Sequence, residues 1–341
     1  MLYEPAPREK VRCGICERRC VIADGKRGFC MTKTNLRGRL FALTYGDISS
    51  MSENPIEKKP FYHFWPGSVA LTVGSYGCNF ACPWCQNWEL SRTSPNVSNA
   101  NYVCPEKLVE MTKNSKCSGT SFSFNEPAVS LFEYSLDVMS LARKSGLYNT
   151  YVTNLYSTPE ALSAIIENGC DAFCVNIKGN NKAVREYCGA DTEFVWRNLR
   201  EVRKRGRHIE IVTLVIPGVN SEDCTLRSIA RRIKDDLGSS VPWHCTKYLS
   251  AYKAPSFNLP EETPVKTLER ARGIGIEEGL KYVYVGNVPG HKGENTYCPN
   301  CGQLLLERIG LATKYRRINK DDNSCSDCHN LIEISGKCMG P

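Results

Sequence analysis

The stretch Cys78-Asn79-Phe80-Ala81-Cys82-Pro83-Trp84-Cys85-Gln86-Asn87-Trp88 constrains this chain more than any other. Its three cysteines, spaced C-x3-C-x2-C, can converge on one metal centre but offer only three thiolates. A structural zinc ion takes four closed ligands, so three leave it incomplete. A cubic [4Fe–4S] cluster held by three thiolates instead keeps one iron without a protein ligand, open to a small molecule. The stretch follows an apolar run, Val69 to Val73, which reads as a strand. The thiols therefore sit in a loop at that strand's C-terminal end.

The chain holds 19 cysteines, and its first residues, MLYEPAPREK, lack the apolar core of a secretory signal. Cysteines in that setting argue for metal binding in a reducing cytoplasm rather than for a disulfide framework. No apolar run approaches the ~20 residues of a membrane span. Apolar residues are 41% of 341, enough for one large domain and one or two small ones. The formal charge of +8 counts every cysteine as neutral. Coordinated thiolates would cancel much of it, so charge alone gives no nucleic-acid partner.

Ahead of the central loop, Cys13, Cys16, Cys20 and Cys30 are interleaved with Gly25 and Gly28 and can close a four-thiolate site. Zinc and an auxiliary iron–sulfur cluster both accept that set. We expect a cysteine-rich metal-binding segment over 1–47 and a connector over 48–68. The connector ends in Lys59-Pro60-Phe61-Tyr62-His63-Phe64-Trp65-Pro66-Gly67, read as a strap across the mouth of the next domain. His63 reads there as a hydrogen-bonded structural residue.

From 69 to 290, candidate strands at 70–75, 120–124, 148–153, 172–177, 209–216, 242–249 and 282–285 alternate with helices. The helices start near Pro105, Val129, Pro159, Phe194, Glu222 and Pro264. Such alternation predicts βα units, a parallel sheet and an incomplete (β/α) barrel, with chemistry in the loops after the strands. The basic run over 197–208 shares a helix with Val195, Leu199 and Val202 and reads as a solvated face. Gly273-Ile-Gly275 leads into a strand instead of following one, so it is not a dinucleotide fingerprint. Over 291–341, Cys298-Pro-Asn-Cys301 and Cys325-Ser-Asp-Cys328 make the two C-x2-C knuckles of a zinc ribbon. Cys104, Cys117, Cys170, Cys174, Cys188, Cys224 and Cys245 lack such spacing and read as small core or surface residues.

The loop wording CNFACPWCQNW resembles the radical S-adenosylmethionine (radical SAM) signature. The chain is similar to the radical SAM enzyme of the AmmeMemoRadiSam system, a relative of the pyruvate formate-lyase activating enzymes. The resemblance runs on through Asn125-Glu126-Pro127, Thr153-Asn154-Leu155-Tyr156 and Asn176-Ile177-Lys178-Gly179. It continues through Val215-Ile-Pro217-Gly218, Pro242-Trp243-His244 and Tyr284-Val285-Gly286-Asn287, covering almost the whole chain.

That resemblance implies a six-unit partial TIM-like barrel, (β/α)6. Its Cys78, Cys82 and Cys85 would hold the [4Fe–4S] cluster, with S-adenosylmethionine on the open iron. Reductive cleavage would release a 5′-deoxyadenosyl radical that abstracts hydrogen from a substrate. Asn125, Glu126, Thr153, Asn154, Asn176 and Lys178 are the expected ligand-binding residues, Glu126 for the ammonium group and Lys178 for the carboxylate. Leu155 stands where relatives carry glycine, and Asn176 where they carry aspartate. With Val152 and Asn176 in place, the monovalent cation of the activating enzymes is not expected. His244 is a candidate substrate contact or proton carrier, with a structural histidine as the alternative. The implied partners are an electron donor of flavodoxin or ferredoxin type, and a protein or peptide substrate with functionally linked proteins. Glycyl-radical activation of a partner and a non-catalytic zinc protein are the competing readings.

Overall fold

The computed structural model describes residues 2–339. Its strands are β1 (Tyr3–Ala6), β2 (Lys10–Cys13), β3 (Val21–Ile22), β4 (Lys33–Leu36), β5 (Arg39–Ala42) and β6 (Ser50–Pro55). They continue with β7 (Val69–Gly74), β8 (Gly119–Phe122), β9 (Tyr148–Thr153), β10 (Ala172–Asn176), β11 (His208–Val215), β12 (Trp243–Lys247) and β13 (Val283–Gly286). Strands β13 to β6 form one eight-stranded sheet in strictly sequential order. The pairs β7–β8, β8–β9, β11–β12 and β12–β13 are parallel. Helices α1 (Pro105–Asn114), α2 (Phe132–Lys144), α3 (Pro159–Glu167), α4 (Thr192–Lys204), α5 (Asp223–Arg232) and α6 (Val265–Glu277) lie between them in the chain. Sequential parallel strands with intervening helices and two open edges are the order of the expected partial barrel.

Local chemistry accounts for the elements. Strands β7 to β10 are buried along nearly their whole length. The apolar β7 and β10 suit a covered parallel sheet. The polar β8 and β9 pair buried groups across the strands, the Thr120 hydroxyl donating to Asn149 Oδ1 at 2.7 Å. Pro159 opens α3, whose first turn is capped by the Thr158 hydroxyl accepting from Ala161 N–H. In α4 the buried Val195, Leu199 and Val202 line one face. The opposite, basic face carries ion pairs such as Arg197–Glu17 at 2.8 Å and Arg205–Glu167 at 3.1 Å. Gly275 sits within α6, where a Cβ would meet Val283 at 2.8 Å and Trp243 at 2.9 Å. Close helix–strand packing, not phosphate binding, explains it.

The connector differs from expectation. It contributes β6, which hydrogen-bonds at the sheet edge through Ser49 N–H to the Gly74 carbonyl (3.0 Å) and Ile56 N–H to the Ser68 carbonyl (2.9 Å). A polar, Pro-containing segment is suited to an edge strand, where unpaired N–H groups face out.

Two compact units divide the chain. The first comprises Met1–Asn54, Ala70–Phe173 and Arg185–Arg207. Its N-terminal head is the antiparallel sheet β1-β2-β3 plus the β4–β5 hairpin. Residues 15–17 run beside 156–158, with Thr158 N–H on the Ile15 carbonyl (3.1 Å) and Glu17 N–H on the Tyr156 carbonyl (3.1 Å). The ammonium of Lys33, 1% exposed, is paired with Glu133 at 2.6 Å, as a buried charge must be.

The second unit comprises Pro55–Val69, Cys174–Val184 and His208–Pro341. It holds β11 to β13 and the antiparallel sheet of β14 (Thr296–Tyr297), β15 (Leu304–Ile309) and β16 (Ala312–Tyr315). Tyr62, Tyr282, Tyr284, Leu305, Leu306 and Ile318 share its tail-side core. The aromatic strap does not cross a barrel mouth. Tyr62 and His63 donate backbone N–H bonds to the Glu210 carboxylate at 3.0 and 2.7 Å, and Glu210 lies near the N-terminal end of β11. Trp65 N–H bonds the Ser335 carbonyl at 2.9 Å. The strap is therefore a wedge at the strand ends that parallel α/β folds give to stability.

Candidate metal centre

Strand β7 ends at Gly74, and the cysteine loop follows it directly. Gly77 has φ +83°, a left-handed conformation that suits glycine. Beyond it, Phe80 N–H lies 3.4 Å from the Cys78 sulfur, a backbone donor set against a prospective thiolate. Burial pushes the Cys78 thiol up, and the charges of Glu126, Cys82 and Cys85 add to that shift. A buried thiol with other acidic groups around it does not ionise without a cation beside it. A metal supplies that cation, since a coordinated thiol is deprotonated outright. The residues present thus suit a cluster held by Cys78, Cys82 and Cys85.

The loop is braced from several later strand ends. Asn125, after β8, donates from Nδ2 to the Gly77 carbonyl (2.7 Å) and accepts from Ser75 N–H (3.3 Å). Asn154, after β9, donates to the Asn79 side-chain oxygen at 2.8 Å and accepts from Tyr156 N–H at 3.0 Å. Glu126 is 2% exposed. Its Oε1 accepts from the Thr153 hydroxyl (2.5 Å) and Ala128 N–H (3.1 Å), and its Oε2 from Asn154 N–H (2.7 Å). A buried carboxylate that acts on Cys78 is tolerable because those donors satisfy it. Asn125, Glu126, Thr153 and Asn154 are therefore one lattice around the loop.

Other groups here left no mark in the sequence pattern. The Cys188 sulfur, fully buried, lies 3.4 Å from that of Cys82. The Cys188 carbonyl accepts from Ala81 N–H at 3.1 Å. Arg18 bonds the Asn79 carbonyl through Nε and the Cys188 carbonyl through Nη2 at 3.3 Å. Its guanidinium also lies 3.6 Å from the centre of the Phe29 ring. Trp84 packs against Tyr187 with ring centres 5.5 Å apart.

In the second unit, half-buried Asn176 ends β10, and half-buried Lys178 follows two residues on. The Lys178 carbonyl accepts from Asn220 Nδ2 at 3.0 Å, while Asn220 Oδ1 accepts from Ile216 N–H at 2.7 Å. That amide pins the loop after β10 to the one after β11. His244 stands elsewhere, near the N-terminal end of β12 and 1% exposed. Its Nε2 donates to Glu210 at 2.7 Å and its ring stacks on Tyr284 at 5.1 Å. Glu210 also accepts from His208 at 3.0 Å. Burial pushes the Glu210 carboxyl up, but bonds from His208 and His244 outweigh it and hold the group well below its usual range. The geometry gives His244 the task of holding a buried carboxylate, as it gives His63 that of bridging Tyr284 (2.6 Å) and the Glu333 carbonyl (3.0 Å).

The tail cysteines converge. The sulfurs of Cys298, Cys301, Cys325 and Cys328 all lie within 4.8 Å of one another. Cys298–Cys328 and Cys301–Cys325 are separated by 3.5 and 3.6 Å. A tetrahedral ion with ~2.3 Å bonds to sulfur sets its ligand atoms roughly 3.8 Å apart. The pairs are built as knuckles, with Gly302 N–H on the Cys298 carbonyl (2.9 Å) and His329 N–H on that of Cys325 (2.9 Å).

Residues 72–227 match the Radical SAM superfamily. An uncharacterized protein of Methanocaldococcus jannaschii, MJ0808, is 40% identical over 98% of this chain and 98% of its own. The chain belongs to the radical SAM superfamily. A second uncharacterized M. jannaschii protein, MJ0674, is 24% identical over 80% of this chain and 76% of its own. Two solved structures share the fold, the first of them a radical SAM enzyme. A methyltransferase of Sphaerobacter thermophilus has a TM-score of 0.51 at 14% identity, covering 71% of each chain. Streptococcus suis SuiB bound to S-adenosylmethionine has a TM-score of 0.51 at 11% identity, covering 67% of this chain and 55% of its own. Among the described residues of this superfamily member, no helix is long and apolar enough to cross a membrane.

Proposed function

We propose that this chain cleaves S-adenosylmethionine reductively and uses the 5′-deoxyadenosyl radical to abstract hydrogen from a substrate. The observation that carries this reading is the placement of three cysteines in the loop directly after β7, beside the buried Glu126–Thr153–Asn154 lattice. A [4Fe–4S] cluster on Cys78, Cys82 and Cys85 would supply the single electron and an open iron. Asn125 and Asn154 hold the loop backbone and Asn79 in register. Glu126 places negative charge where an ammonium group would bind, and Thr153 orients that carboxylate by donating to it. The reductant is a flavodoxin- or ferredoxin-type protein in the cytoplasm. The tail's four thiolates hold a structural zinc, since no position is left open for chemistry.

Anaerobic reconstitution followed by detection of 5′-deoxyadenosine tests the reading. Wild-type protein should release it under dithionite, and Cys82→Ala should release none. Release by Cys82→Ala at the wild-type rate would overturn the assignment.

A further inference from the structure

Cys188 belongs to none of the cysteine motifs of the sequence, yet the fold sets it against the central loop. Its sulfur lies 3.4 Å from that of Cys82, and both side chains are buried, Cys188 fully and Cys82 to 7% exposure. The backbones are fixed beside one another. Ala81 N–H bonds the Cys188 carbonyl at 3.1 Å. Arg18 clips the same two segments, bonding the Asn79 carbonyl through Nε and the Cys188 carbonyl through Nη2. Extended segments joined by such a bond stand about 5.5 Å apart from Cα to Cα, inside the roughly 4.4–6.8 Å that a disulfide spans. The sulfurs can therefore close from contact to a bond of about 2.05 Å with little backbone movement.

A shared metal does not account for the contact. Among the described residues, the tail cysteines are the set of three or more close enough to share one ion, so Cys82 and Cys188 form a pair rather than a site. A cube takes one thiolate per iron, and two sulfurs in contact do not reach separate corners of it. With Cys78, Cys82 and Cys85 supplied by the loop, Cys188 is the neighbour of a ligand. A thiol at that distance can resolve its neighbour's oxidation. A loop cysteine without its metal is open to peroxide, which carries it to a sulfenic acid and, unless a second thiol intervenes, on to the irreversible sulfinic acid.

We infer that Cys188 is a resolving thiol for Cys82: in the cluster-free chain the pair forms a reversible disulfide under oxidising conditions, which withholds Cys82 from the cluster until it is reduced. The withholding rests on the function proposed above; the disulfide does not. Hydrogen peroxide oxidises the Cys82 thiol by two electrons, giving the sulfenic acid and one water. The Cys188 sulfur then attacks the Cys82 sulfur, forming the S–S bond and expelling the hydroxyl, which leaves with the Cys188 proton as a second water. A dithiol reductant reverses the step by thiol–disulfide exchange, its own sulfurs ending as the disulfide. Cluster loading is thereby tied to the ambient thiol redox state.

Peptide mapping of the full chain tests this. Protein freed of its cluster, with zinc retained, is titrated with hydrogen peroxide, alkylated without reduction and digested. The Cys82 and Cys188 peptides should appear linked, lighter than their sum by the lost thiol hydrogens. Anaerobic reconstitution of that sample should give about four fewer irons per chain, and prior treatment with a dithiol should restore them. Cys188→Ser should accumulate at least tenfold more sulfinic acid at Cys82 than wild type, with iron uptake that a dithiol does not restore. Cys82 that stays open to alkylation throughout the wild-type titration, or that links to Cys78 or Cys85 instead, would overturn the inference. So would equal sulfinic acid at Cys82 in wild type and Cys188→Ser. If the pair links but Cys82→Ala takes up as much iron as wild type, the cluster reading falls and the disulfide stands.

Discussion

Glu126 serves two tasks with one carboxylate, and they separate under a single substitution. Glu126→Gln keeps the shape but sets an amide donor against the Thr153 hydroxyl or Asn154 N–H. It also removes the charge offered to an ammonium group. S-adenosylmethionine affinity should fall by about 1.5–3 kcal/mol, the range of a charge-assisted hydrogen bond. Equilibrium binding at intact iron content checks this, and unchanged affinity would leave Glu126 with the loop alone. Cys188 poses a related question, because its sulfur lies 3.4 Å from that of Cys82. Cys188→Ser should retain the iron and move the cluster potential upward, since a hydroxyl donates more strongly to thiolate than a thiol does. Loss of iron in that variant would make Cys188 a ligand instead. The three loop cysteines were legible because their spacing is local. Cys188 and Arg18 were not, since their contacts span 106 and 61 residues and leave no periodic trace.

At the level of elements, the strap is where reading by residue type misplaced a segment. Aromatic and turn-rich composition identified something that packs, but not which strand ends receive it. The deciding residue was Glu210, a lone acid in an apolar strand. The wedge makes stability depend on pH. Burial lowers His63 from 6.5 to about 4. Its Nδ1–H donates to Glu333 and its Nε2 accepts from Tyr284, so the fold needs the neutral ring. The unfolded chain takes up a proton below 6.5, so this contribution is fully present above that pH and is lost on falling toward 4, by roughly 3 kcal/mol. Glu210, held below its ordinary value, loses its contribution in the same direction at lower pH. Thermal melts at pH 7 and 5 should differ in wild type and differ less in His63→Asn; equal slopes would refute the assignment. The tail's knuckles were legible throughout, being short and local. Cys301→Ser should lower zinc by one equivalent and loosen the core of Leu305, Leu306 and Ile318 while iron stays constant, because four thiolates supply folding free energy that a small core lacks. Metal analysis with near-ultraviolet dichroism checks it, and a fall in iron would reassign the tail to electron transfer.

For the whole molecule, alternating apolar runs and capped helices placed each barrel strand within a few residues. That works for β7 and β10, which are apolar on both faces as a covered parallel strand usually is, while the polar β8 and β9 satisfy buried groups in pairs such as Thr120 with Asn149 at 2.7 Å. Edge strand β6 escaped notice for the converse reason, being polar. The sequence did not reveal that neither compact unit is a continuous stretch of chain. The chain changes unit after residues 54, 69, 173, 184 and 207. This has a consequence for biosynthesis. Cys82 leaves the ribosome 106 residues before Cys188, roughly 5–20 s at ordinary translation speed. Through that interval the Asn125, Glu126 and Asn154 braces arrive one by one, and the segment that bonds Ala81 arrives last. The braces of the cysteine loop are therefore complete only once Cys188 has emerged, and the time for which these thiols wait for them is set by the ribosome.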